Sequence, residues 1–222
     1  MNPSPSALSL HAPLRRALVA VAVVIVAAAL VACGTLSRPS PVKRTFLLEP
    51  TLPKAVSTTP KPLAVRVGAI SVAAPYRGKT FVFRESDLRY ESDYYDEFFI
   101  APAIMFSDAT AKALAASNVF RRVVPFGATS DEGDYVLDGF VSELYADTRD
   151  AAAPVAVITV TYYLTPMQTV GAGVAWSHEY HQRTRLSGTG PEAVARGWNA
   201  GLAAILADLA KDLGAADLPA KP

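Results

Sequence analysis

Sixteen consecutive residues, Ala17 to Ala32, are drawn only from Ala, Val, Leu and Ile, and they end directly against Cys33, the sole cysteine of this 222-residue chain. A spanning helix needs about 20 apolar residues, so the run is short for a permanent anchor. With Arg15 and Arg16 immediately before it, it suits the apolar region of a secretory signal behind a positively charged start. The run divides the chain into a segment to be removed and a remainder that folds. A single cysteine excludes a disulfide framework and a thiolate zinc cluster. The charge balance of 21 basic to 20 acidic residues lacks the basic excess that a nucleic-acid surface needs to displace counterions.

The sequence Leu30-Val31-Ala32-Cys33-Gly34 resembles the lipobox of bacterial lipoproteins, in which cleavage precedes a cysteine that carries the lipid. That resemblance implies cleavage between Ala32 and Cys33 and lipidation of Cys33, with covalent lipid as the only added group. Several acyl chains together make a stable membrane anchor, each buried CH₂ contributing about 0.8 kcal/mol. The alternative is a plain signal anchor that keeps its helix, with Cys33 incidental. In the lipoprotein sorting rule Asp after the cysteine retains a protein at the inner membrane, so Gly34 implies the periplasmic face of the outer membrane. Loss of residues 1–32, which carry Arg15, Arg16 and no acid, leaves 190 residues with 19 basic and 20 acidic side chains.

Residues 33–62 read as a lipidated tether, because Pro39, Pro41, Pro50, Pro53, Pro60 and Pro62 extend the chain and resist compact structure. Fully undocked, residues 34–62 would reach about 90 Å at ~3.3 Å per residue. Within them Arg44 to Glu49 is a candidate for a short peripheral strand. Residues 63–214 read as one domain and 215–222 as a flexible tail. Leu63 to Val72 is rich in β-branched residues and bounded by Pro62 and Pro75, the composition of a strand. Further strands are expected at Lys79–Arg84, Asp87–Glu91, Phe120–Pro125, Tyr135–Tyr145, Val155–Leu164 and Val174–Arg185. A largely buried helix should start at Pro102 and run to Ser117, with a narrow polar stripe at Asp108 and Lys112. The last element is a helix with Val194, Trp198, Leu202, Ile205, Leu206, Leu209 and Leu213 inside an arc of about 120°. The order predicts a single α/β or α+β domain, a mainly antiparallel or mixed sheet with two helices packed on one face.

Chemistry-bearing motifs are few. Ala73 to Thr80 matches a relaxed phosphate-binding loop, but Phe81-Val-Phe-Arg continues as a strand where such a loop must feed a helix. His178 and His181 stand three apart in a strand, which points them to opposite faces and keeps them from sharing a metal. There is no G-x-S-x-G elbow, and no catalytic or metal residue is assigned. Glu85, Asp87, Glu91, Asp93, Asp96 and Glu97 crowd one segment with Tyr90, Tyr94 and Tyr95. It reads either as a solvated hairpin and loop or as a partner-contact surface built on Asp93, Tyr94, Tyr95, Asp96 and Glu97, since tyrosines supply contact area with few torsions.

Leu63–Val72, Tyr94–Pro102, Asp134–Asp147 and Tyr162–Met167 ahead of the Trp176 strand resemble the ABC-type transport auxiliary lipoprotein family, which includes the lipoprotein of the paraquat-inducible (Pqi) MCE system. The resemblance implies a fold similar to the N-terminal domain of the Tol-system β-propeller protein. It also implies a non-enzymatic accessory subunit of a lipid transport system between the two membranes, beside an MCE-domain protein, a permease and an ATPase. A lipid or small-ligand carrier, with an apolar pocket bounded by Trp176 and Trp198, and a structural envelope lipoprotein unrelated to transport are the other readings. A homo-oligomer is left open.

Overall fold

In a computed structural model, residues 16–17, 19–23, 42–129, 133–167 and 173–219 are described. The chain divides into two units, residues 1–41 and 42–222. In the first, residues 16–17 and 19–23 are helical and exposed. Ala32 and Cys33 lie outside the described residues. Among the described residues no helix is long and apolar enough to cross a membrane.

The second unit is organised by strands whose alternation sends one set of side chains inward. They are β1 (Arg44–Phe46), β2 (Lys61–Val72), β3 (Thr80–Arg84), β4 (Tyr90–Phe98), β5 (Phe120–Val124), β6 (Tyr135–Asp147), β7 (Val155–Pro166) and β8 (Trp176–Arg185). Helix α1 (Pro102–Ser117) and helix α2 (Pro191–Ala215) complete it. Pro opens both helices, where its missing N–H costs nothing. Asn118, at φ 56°, ends α1 in the left-handed conformation and donates from Nδ2 to the Ser57 carbonyl at 2.8 Å.

The sheet is mixed and forks at β6. One edge of β6 pairs antiparallel with β7 along its whole length, and β7 with β8. The other edge is shared: Tyr135–Val141 pairs parallel with β2, and Ala146–Asp147 pairs parallel with β3. From β2 the sheet continues to β5, and from β3 to β4 and β1. Both helices cover one face, α1 over β2 and β5 and α2 over β7 and β8, and they touch each other. The expected single α+β domain with two helices on one face is therefore the observed architecture.

The interior beneath α2 is filled. Trp198 is 0% exposed, meets Phe81 edge-on at 4.8 Å and Phe98 at 5.3 Å, and donates from Nε1 to the Tyr145 carbonyl at 3.3 Å. Trp176 starts β8, whereas Gly197 beside Trp198 faces Leu186 just past the other end of that strand. The two tryptophans do not bound a common pocket. The exposed stripe of α1 carries Asp108 and Lys112, paired at 2.7 Å, together with Ile104, which is half exposed rather than buried.

Two segments are more ordered than their composition suggests. Residues 42–62, expected to be mostly tether, lie on the domain: Leu48 is buried, and Asn199 of α2 brackets it by accepting from Glu49 N and donating to the Leu47 carbonyl. Val56 N donates to Ser117 O. After α2, expected to give way to a flexible tail, Lys61 Nζ donates to Ala216 O at 2.7 Å and the Tyr135 hydroxyl to Pro219 O at 3.0 Å. In each case groups distant in sequence satisfy backbone that has no strand partner at that point.

Candidate functional site

The acidic, tyrosine-rich segment is part of a hairpin: Glu85 and Asp87 lie in the turn between β3 and β4, whereas Glu91 to Glu97 belong to β4, which runs from Tyr90 to Phe98. Its polar outer half lacks the apolar alternation that marks a strand. The segment is irregular all the same. Thr80 pairs with Glu97 while Val82 pairs with Ser92, so Phe81 alone on β3 faces Asp93–Asp96 on β4. The extra residues bulge outward. Asp93 closes the bulge, its Oδ1 accepting from Tyr95 N at 2.7 Å and Asp96 N at 3.0 Å.

The five residues expected to share a contact surface are split by this geometry. Tyr94 is 71% and Tyr95 41% exposed, set edge to face at 5.1 Å, and Lys43 Nζ lies 5.4 Å from the Tyr94 ring. Asp96 is 3% exposed and receives Arg44 through Nε and NH2 at 2.7 and 2.9 Å. Glu97 takes Lys43 at 3.2 Å and faces Lys79 at 3.9 Å. Asp96 and Glu97 therefore clip β1 to β4, Asp93 shapes the backbone, and the two tyrosines face solvent. A depression of about 420 Å³ lined by Phe83, Glu85, Glu91, Ser92 and Asp93–Tyr95 lies beside them.

The sheet face away from the helices carries a polar network that sequence inspection had not joined. Thr159 Oγ1 donates to Glu143 Oε2 at 2.5 Å and lies 2.6 Å from His181 Nδ1. Because the hydroxyl has one proton, His181 is the donor to Thr159 in that arrangement. Tyr145 donates to Glu143 Oε1 at 3.3 Å. At the end of β6, Asp147 receives Arg149 through Nε and NH2 and Arg183 through NH2. These guanidinium bonds hold its carboxyl well below the usual carboxylate range. Arg149 NH1 also binds Asp87 at 2.7 Å, so the cleft of about 400 Å³ here is lined by ion pairs. Spacing along one strand could not reveal this cluster, whose members come from the β3–β4 turn, β6, the β6–β7 turn and β8.

The other motifs fall where strand alternation put them. His178 and His181 sit on opposite faces of β8, opposite Tyr162 and Thr159. Among the described residues no cluster could hold a metal ion. The phosphate-loop-like stretch forms a short 3-10 turn at Ala74–Tyr76 and leads into β3.

Fold and surface together define an α+β domain built on a mixed eight-stranded sheet with one face covered by helices. The chain shares this fold with a DUF330-family protein from Xanthomonas campestris, at TM-score 0.66 and 16% identity, over 75% of this chain and 92% of that one. An uncharacterized protein of known structure matches at TM-score 0.58 and 15% identity, over 78% of this chain and 99% of that one. The lipoprotein GNA1162 of Neisseria meningitidis is a looser match, at TM-score 0.37 and 13% identity, over 70% of this chain and 100% of that one. No family model and no curated protein matches the sequence.

Proposed function

We propose that the protein is an envelope lipoprotein held on the periplasmic face of the outer membrane through lipid on Cys33. There it serves as accessory subunit of an ABC/MCE-type lipid transport system. The sequence supports the anchor through its lipobox, and the stretches that resemble the ABC-type transport auxiliary lipoproteins support the transport role. The observation that carries the docking role is the exposure of Tyr94 and Tyr95 on a bulge that Asp93 locks. Aromatic side chains fixed by a rigid backbone are the type that anchors interfaces.

Crosslinking followed by pull-down of the native lipoprotein tests this reading, with Cys33→Ala as the mislocalised control. Recovery of an MCE-domain or permease subunit, reduced by Tyr94→Ala/Tyr95→Ala, is expected. Recovery of neither subunit overturns the transport role, and labelled palmitate absent from the wild-type chain overturns the anchor.

A carrier role has one observation in its favour, a groove of about 260 Å³ between residues 47–52 and α1, lined in part by Leu47, Leu52, Ile100 and Met105. It is smaller than the roughly 300–1,000 Å³ of ordinary ligand pockets.

A further inference from the structure

The outer edge of β8 is an open hydrogen-bonding template. β8 is ten residues long and, among the described residues, pairs only with β7. Leu186 N donates to Pro154 O in the same register. Antiparallel alternation then turns the even-numbered residues of β8 toward β7 and leaves the N–H and C=O of Ser177, Glu179, His181, Arg183 and Arg185 pointing outward. All five are exposed, and their side chains lie on the helix-free face. Native sheets ordinarily blunt such an edge with charge, because it invites another strand.

The order of these residues is what selects a partner. Glu179 stands two before His181 and Arg183 two after it. In an antiparallel pairing of β8 with a second β8, a two-fold axis through His181 sets Glu179 opposite Arg183 in both directions and Ser177 opposite Arg185. All are hydrogen-bonded pairs, as the outward-pointing backbone requires. Moving the axis to residue 180 puts His181 opposite Glu179 and Arg183 opposite Ser177, which leaves no carboxylate–guanidinium pair, whereas moving it to 182 trades the Glu179–Arg183 pairs for Glu179–Arg185 and sets His181 against Arg183 in both directions. The charges that would repel a foreign strand thus become complementary toward this one. Existing contacts leave room for this: Arg183 spends NH2 on Asp147 at 3.1 Å, but a guanidinium has five donors. Among the described residues Glu179 receives a 3.4 Å bond from the Thr161 hydroxyl.

We propose that two copies of this chain associate through β8, antiparallel about a two-fold axis at His181, continuing the sheet from one subunit into the other. The proposal is independent of the transport role.

Two measurements on the full-length chain in detergent test it. In the Cys33→Ala/His181→Cys variant, Cα atoms of a hydrogen-bonded antiparallel pair, about 5.5 Å apart, lie within disulfide reach. Mild oxidation is therefore expected to give a covalent dimer on a non-reducing gel. Cys33→Ala/Glu179→Cys places its two sulfurs four residues of strand apart, on the order of 13 Å, and should stay monomeric. By sedimentation, Glu179→Arg should weaken association at least about tenfold, since both cross-strand pairs become repulsive. Glu179→Arg/Arg183→Glu should restore it. A monomeric wild type, crosslinking at 179 but not at 181, or failure of the double reversal to rescue a folded protein would each overturn the proposal.

Discussion

Arg44 grips Asp96 in a two-pronged bond, Nε to Oδ1 at 2.7 Å and NH2 to Oδ2 at 2.9 Å, and through it β1 is fastened to β4 across 52 residues of chain. The arginine is mostly in solvent and the aspartate is buried, so the pair orders a segment rather than supporting the whole fold. Asp96→Ala should therefore raise hydrogen exchange and protease cleavage in residues 42–50 while leaving the melting temperature nearly unchanged. Exchange confined to that segment would confirm the clip.

Close approach of α2 to the sheet depends on Gly197, where an added Cβ would lie 2.5 Å from Leu186 Cδ2 and 2.9 Å from Ala156 Cβ. Gly197→Ala should cost about 1–3 kcal/mol through overpacking, more than the roughly 0.8–1.0 kcal/mol that alanine gains in a helix. Gly214 in the same helix meets nothing nearer than 3.7 Å. Gly214→Ala should stabilise by up to about 1 kcal/mol, and denaturant melts of the two variants should shift in opposite directions.

Asp147 gives the fold an acid-sensitive tie. Its folded pKa is depressed by bonds first from Arg149 and then from Arg183. The stabilisation is therefore complete above the unfolded value of about 3.9 and is lost as pH falls from there through the folded value. Asp147→Asn should cost about 1–2 kcal/mol at pH 7, discounted because both arginines are partly solvated. Chemical denaturation should show a constant gap between wild type and variant from pH 7 to 5, closing below about pH 4.

Helix α1 and β7 are joined inside the core by a hydroxyl pair: Thr110 Oγ1 and Tyr162 Oη are 2.9 Å apart and both residues are fully buried. Burial pushes the Tyr162 hydroxyl up to about 12. Tyr162→Phe leaves the threonine hydroxyl unpaired and should cost about 1–3 kcal/mol. Thr110→Val/Tyr162→Phe, which removes both polar groups, should recover much of that in an equilibrium melt.

Local pattern carries β2, β7 and both helices. In β7 Ile158, Val160, Tyr162 and Leu164 alternate inward, and Val194 through Leu213 form the buried stripe of α2, as the residue types require. It does not carry β4, extended from the expected Asp87–Glu91 to Tyr90–Phe98 by pairing with β3 and β1. Nor does it carry the docking of residues 42–62, where prolines argue for a tether and burial of Leu48 together with contacts to distant residues, among them Glu49 N with Asn199, the Arg44–Asp96 pair and Val56 N with Ser117 O, decides otherwise. The candidate site was legible as a set of residue types and illegible as a surface.

Composition and periodicity settle which segments are strands or helices and which faces turn inward, because both follow from neighbours a few residues away. The same local reading places the apolar run before Cys33 and the tyrosines among acids. Which of Asp93 to Glu97 meet solvent was decided by tertiary structure alone. Burial of Asp96 and exposure of Tyr94 follow from a register between strands and from cations some fifty residues earlier, and no local propensity encodes a pairing over that distance.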